Sequence, residues 1–142
     1  MEDFVNFKIS QKLKEKGFPQ SPDYFNYSSY YDWDGLRKIH SLSNASVWFD
    51  PNISKDNIYF APIISQVLNW LRKEKHIHIN TSVYKDESED ADGRIIEEWC
   101  FWNWDIQNCN SGDVLQDGDD IEYESYEQAA VAGIEYVIEN LI

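Results

Sequence analysis

Two alternating runs separated by an acidic turn constrain this chain more than anything else in it. Residues 76–84 place Ile77, Ile79 and Thr81 on one side and His76, His78 and Asn80 on the other, the period-two pattern of a half-buried strand. Residues 94–107 form a longer run, with Trp99, Phe101 and Asn103 on one face and Cys100, Trp102, Trp104 and Ile106 on the other. The connection, 85–93, is carboxylate-rich and carries the turn signal Asp92-Gly93, so the two runs read as an antiparallel hairpin. Large rings on both faces of the second strand predict that both are covered, by helices, by a tyrosine-rich segment or by a second subunit.

Three helices frame that hairpin. Residues 6–16 begin at Asn6, a good cap, bring Ile9 and Leu13 to one face and stop at Gly17, with lysines near the C-terminal end where the helix dipole favours cations. The helix over 62–75 has the clearest pattern. Pro62 suits a first turn, Ile63, Ile64, Val67, Leu68, Trp70 and Leu71 make a broad apolar face, and Arg72, Lys73 and Lys75 close it. Trp70 is expected in the core. The last helix, 126–140, is capped by Ser125, with Ala130, Ile134 and Val137 or Ile138 inward.

The remainder is less regular. Residues 19–57 hold the cluster Tyr24, Phe25, Tyr27, Tyr30, Tyr31 and Trp33, which fits neither period and is expected to wrap irregularly on the body or to line a ligand groove. Short strands are expected over 45–49 and 58–60, around a turn at 50–52. The result is one α+β domain over 1–142, order α-β-β-α-β-β-α, with about four largely antiparallel strands and acidic loops at 85–93 and 112–124.

Charge separates the halves. The chain carries 26 acidic against 12 basic side chains, net −14, and all of the excess lies after residue 75. A field of that sign repels phosphates and disfavours direct nucleic-acid binding by the C-terminal half. With 15% aromatic residues the chain is too rich in rings to be disordered despite its charge. No apolar run reaches the roughly 20 residues of a membrane span, and Met1-Glu2-Asp3-Phe4 lacks the basic start of a signal peptide. A cytoplasmic location is expected.

The helix edges carry a resemblance. Phe4-Val5-Asn6-Phe7-Lys8-Ile9, running on through Leu13-Lys14-Glu15-Lys16-Gly17-Phe18, is similar to the opening of small proteins of unassigned activity from phages and mobile elements of gut Bacteroides-type bacteria. An Ala-Pro-led helix ending in Trp-Leu-Arg, here Ala61-Pro62 to Trp70-Leu71-Arg72, belongs to the same pattern. So does a Ser-Tyr-Glu helix, here Ser125-Tyr126-Glu127, closing on Glu139-Asn140-Leu141-Ile142. The resemblance spans most of the chain outside 19–57. It implies a bacterial or phage-infected cytoplasm, and it carries over no cofactor or functional residue.

Chemistry-bearing motifs are sparse. Ser88-x-Asp90-x-Asp92-Gly93-x-Ile95 imitates part of an EF-hand loop, but Ser88 stands where the first aspartate belongs and Trp99 where the bidentate glutamate does. His76-x-His78 is a weak metal candidate whose third ligand would be His40, Glu97 or Glu98. Cys100, among tryptophans, reads as a buried thiol, while Cys109 sits in a loop without a nearby base. Lys12, Lys14 and Lys16 with Arg72, Lys73 and Lys75 end two helices, so a basic patch for nucleic acid is a further alternative.

The leading expectation is a non-enzymatic accessory protein of a phage or mobile element that uses no cofactor and binds another protein, a basic or DNA-binding one, through its acidic, aromatic C-terminal half. The expected surface comprises Asp86, Glu87, Glu89, Asp90 and Asp92 with Asp117, Asp119, Asp120, Glu122 and Glu124. A DNA mimic is its specific form, a small metal-dependent enzyme on His76 and His78 the alternative. The chain itself is expected to be a monomer or homodimer.

Overall fold

Local rules place the first helix, α1 (Phe7–Glu15), where the sequence puts it. The Asn6 side chain accepts the Ile9 amide at 2.9 Å. At the other end Gly17, at φ +91°, lets the Gly17 amide reach the Lys14 carbonyl and the Phe18 amide the Leu13 carbonyl, at 3.2 and 2.9 Å. That is a Schellman closure, and it turns Phe18 into the core against Trp70, ring centroids 5.2 Å apart. The computed structural model describes residues 4–20, 27–31, 37–41 and 59–142.

The chain is an α+β protein, and among the described residues all strand pairs are antiparallel. After α1 come β1 (Tyr27–Tyr31), β2 (Arg37–Ser41) and β3 (Tyr59–Phe60), then α2 (Ile64–Glu74), β4 (Ile77–Glu89), β5 (Ile95–Asn108), β6 (Val114–Gln116) and α3 (Tyr126–Asn140). The alternation of helices with strand groups is the expected one, while β1, β2 and β6 are strands the sequence pattern does not place. These strands divide between two three-stranded sheets, β2-β1-β3 and β4-β5-β6. The tyrosine-rich segment is thus not wholly irregular, since 27–31 and 37–41 pair as a ladder. Tyr24, Phe25, Trp33, the strand expected over 45–49 and the turn at 50–52 lie outside the described residues.

Two boundaries move. Pro62 precedes α2 instead of occupying its first turn, and its carbonyl accepts the Val5 amide at 3.0 Å. The acidic stretch 85–93 is strand as far as Glu89, so the turn occupies only the residues around Asp90–Arg94. There the Asp90 carboxylate accepts the Asp92 and Arg94 amides at 2.9 and 3.0 Å, and Gly93 takes φ +78°.

The core lies between the helices and one face of the β4–β5 ladder. Ile9 and Leu13 of α1, Ile64, Val67, Trp70 and Leu71 of α2, and Ile134, Val137 and Ile138 of α3 meet Ile77, Ile79, Trp104 and Ile106. Trp70 is buried as expected. Gly133 is what lets α3 lie close to the sheet: a Cβ there would stand 2.7 Å from a γ-carbon of Ile79. Lys12 of α1 ties to Glu139 of α3 at 3.0 Å, which lowers the Glu139 pKa through that hydrogen bond and its charge.

Candidate partner-binding surface on a projecting hairpin

The hairpin outruns the helices that cover it. Ile79 pairs with Ile106, Thr81 with Trp104, Val83 with Trp102, and Lys85 with Cys100. Opposite residues share a face, so these form the core face of the ladder. Trp104 is sealed there against Tyr136 of α3, and Trp102 meets Tyr126 at the start of that helix, centroids 5.4 and 6.0 Å apart. Beyond Trp102 the cover ends. Val83 is 53% exposed, Ile96 68%, and Cys100 is exposed rather than the buried thiol its neighbours suggest.

On the other face, Tyr84 lies directly opposite Phe101 and Asp86 opposite Trp99. The rings of Tyr84 and Phe101 stack at 5.7 Å with 21° between planes. Tyr84 is nonetheless 45% exposed. The cover expected from the tyrosine-rich segment is not what its described part provides. Tyr31 packs on Phe7 of α1, centroids 5.6 Å apart, and its hydroxyl donates to the Val5 carbonyl at 2.8 Å.

The loop after β6 is pinned to the far edge of β5. The Trp102 amide donates to the Tyr123 carbonyl at 2.8 Å and the Tyr123 amide to the Trp102 carbonyl at 3.0 Å. The Asp119 carboxylate accepts the Tyr123 hydroxyl at 2.6 Å, the Trp104 indole N–H at 3.3 Å and the Ile121 amide at 3.1 Å. Partial burial and then the Asp119 carboxylate push the Tyr123 phenol up to about 12. Gly118, at φ +72°, fits where a Cβ would stand 2.6 Å from the Trp104 carbonyl oxygen. At the loop's end Glu122 accepts the Trp99 indole N–H at 3.1 Å.

The ten acidic residues expected to form one surface therefore differ in role. Asp119 and Glu122 hold indoles and a phenol of their own chain, Asp90 shapes the turn, and Asp86 accepts the Glu87 amide at 2.8 Å. Glu87, Glu89 and Asp92 are exposed on the hairpin, and Asp117, Asp120 and Glu124 are exposed along the loop. The rings that give the hairpin its binding character, Tyr84 above all, are missing from that set. Sequence alternation placed Phe101 and Trp99 on a shared face, but pairing them with Tyr84 needs the register, which the turn sets.

His76 precedes β4 at φ +56°, just after the C-cap of α2, and is exposed, while His78 lies within β4 and is half-buried. Among the described residues no three histidine, cysteine, aspartate or glutamate side chains converge as a metal-binding group. The Asp90 hydrogen bonds are those of a turn, not of an EF-hand.

Four of the six basic side chains at the helix ends are engaged by the fold, while Arg72 and Lys73 are exposed. Lys12 holds Glu139, the Lys16 ammonium donates to the Ile142 carbonyl at 2.7 Å, and Lys14 and Lys75 lie over the rings of Tyr59 and Trp70. Among the described residues no helix is long and apolar enough to cross a membrane. Neither the family models, nor the curated proteins, nor the solved structures contain a match to this chain.

Proposed function

We propose that this protein works without catalysis, by binding another protein through the far half of the β4–β5 hairpin. The observation that carries this reading is the ring cluster of Tyr84, Trp99 and Phe101 on a sheet face that the described helices do not cover. Contiguous exposed apolar surface rimmed by polar groups is characteristic of interaction sites. Its rim is acidic, so the partner is a basic protein, including one that itself binds DNA. The setting implied by the resemblance, an accessory protein of a phage or mobile element in a bacterial cytoplasm, belongs to the same proposal.

The test is a triple variant, Tyr84→Ser, Trp99→Ser and Phe101→Ser, compared with the wild type in affinity capture at low salt. Thermal unfolding of both proteins establishes that the variant remains folded. A partner retained by the wild type and lost by the folded variant supports the reading. Identical captured sets defeat it.

A further inference from the structure

We infer that the partner contributes an extended, basic segment that adds as a fourth strand to the open edge of β4; this rests on the hairpin being the partner site. The backbone accounting points to that edge. Both backbone groups of Trp102 are given to Tyr123, so Trp102 exchanges no hydrogen bonds with Val83, the residue opposite it. The amide and carbonyl of Val83 consequently point away from β5. With period two, so do those of Thr81, Lys85 and Glu87. In the sheet order β4-β5-β6, β4 has β5 as its single neighbour among the described residues, and Val83, Lys85 and Glu87 are exposed. From Thr81 to Lys85 the edge offers roughly 15 Å of backbone, at about 3.4 Å per residue, with no strand partner among the described residues; beyond it the Glu87 amide is already taken by the Asp86 carboxylate.

Charge selects the occupant. Between Val83 and Phe101 the hairpin carries seven acidic side chains against Lys85 and Arg94, and Lys85 is already paired with Glu98 at 3.2 Å. A second copy of β4 would set Asp86, Glu87 and Glu89 against carboxylates of the same kind, which opposes pairing of like strands. A segment with lysine or arginine at alternate positions meets the opposite sign, and its remaining side chains reach Tyr84 on one face or Val83 on the other. Strand addition of this type takes affinity from backbone hydrogen bonds and specificity from alternate side chains.

The probe is a short, blocked peptide of alternating lysine and valine, with its glutamate–valine counterpart as control. Binding to the intact chain is followed by calorimetry and by amide exchange. The expected result is binding of the basic peptide alone, weakened about tenfold or more when salt is raised to molar strength. Exchange at Thr81, Val83 and Lys85 slows on binding. Lys85→Pro removes one outward amide without touching the β4–β5 ladder, a change edge strands tolerate, and is expected to reduce affinity about tenfold. Slowed exchange confined to other residues, or equal binding of both peptides, overturns the inference. Binding that survives Lys85→Pro but is lost in the triple ring variant overturns strand addition while leaving the hairpin as partner site. Binding unchanged in both variants overturns both.

Discussion

The near and far halves of the β4–β5 hairpin are one ladder with one register, yet they do opposite work. In the near half Ile77, Ile79, Trp104 and Ile106 are buried beneath α2 and α3; in the far half Val83, Tyr84 and Ile96 stand in solvent. Backbone pairing is continuous from Ile77↔Asn108 to Ser88↔Glu97, so hydrogen bonding does not distinguish them. What differs is where α3 begins: its first residue, Tyr126, packs on Trp102, and nothing in the described helices reaches further. A ladder that continues past its core gives up apolar burial, and the far half retains its shape through the Tyr84–Phe101 stack, the Trp99–Glu122 bond and the turn at Asp90.

The sharpest way to break this contrast is to truncate one ring in each half. Trp104→Ala is expected to cost about 3–5 kcal/mol, the usual range for a buried aromatic, because its indole is sealed between Tyr136 and the Asp119 carboxylate. Phe101→Ala, three residues back on the same strand, is expected to cost about 1 kcal/mol, the scale of a partly exposed ring pair. Denaturant unfolding of the two variants measures both. Equal losses would mean that the far half is as much core as the near half.

Gly133→Ala probes the same boundary from the helix side. In an exposed helix interior this change gains about 1 kcal/mol of helix propensity. Here the added methyl would meet the branch of Ile79 at 2.7 Å, and overpacking of that kind costs about 1–3 kcal/mol. A net loss of up to about 2 kcal/mol is expected in unfolding measurements. A gain would show that α3 rides higher on the ladder than its contacts indicate.

Much of the near half is legible in the sequence, because it obeys local rules that survive folding. Asn6, Gly17 and Ser125 act as the caps their chemistry suggests, and Trp70 falls on the buried face its helical spacing assigns. The far half depends on register instead. Whether Tyr84 faces Phe101 or Cys100 changes with a single residue in the turn, and 85–93 offers several carboxylate-rich turns of similar quality. Composition also misleads there: Lys85 to Glu89 looks like loop, yet the ladder carries it as strand. The short β6 has too few residues to show a period, and Tyr27–Tyr31, with serines between its rings, shows none.

A pH scan addresses the clasp that separates the halves. The Tyr123 phenol is raised to about 12 in the fold, against roughly 10 for the unfolded chain. Its protonated form is the one the fold favours, so its contribution is complete below pH 10 and is lost as pH climbs from about 10 to 12. Thermal stability is expected to fall across that window. In Tyr123→Phe the fall should be shallower, and an identical slope would show that Asp119 does not hold the phenol.

The smallest expected effect lies where α2 hands over to the near half. His76 stands at φ +56°, a conformation that costs an L-residue roughly 1–2 kcal/mol and glycine almost nothing. Glycine is the usual occupant of the position that follows a helix C-cap, and here that position must also aim its carbonyl at the Cys109 amide, 2.8 Å away. His76→Gly relieves the strain but adds freedom to the unfolded chain, which offsets roughly half of the gain. A net stabilisation of about 0.5 kcal/mol is expected, small enough to need paired denaturant curves. The result also bears on the histidine itself. An exposed imidazole kept in a strained backbone position is either incidental or useful to a partner near the base of β4. If His76→Gly stabilises the fold while leaving peptide binding at Thr81 to Lys85 unchanged, the strain serves only the turn. If it weakens that binding, the docking edge begins at the helix end and the division between the two halves lies nearer the core than the exposed rings alone would place it.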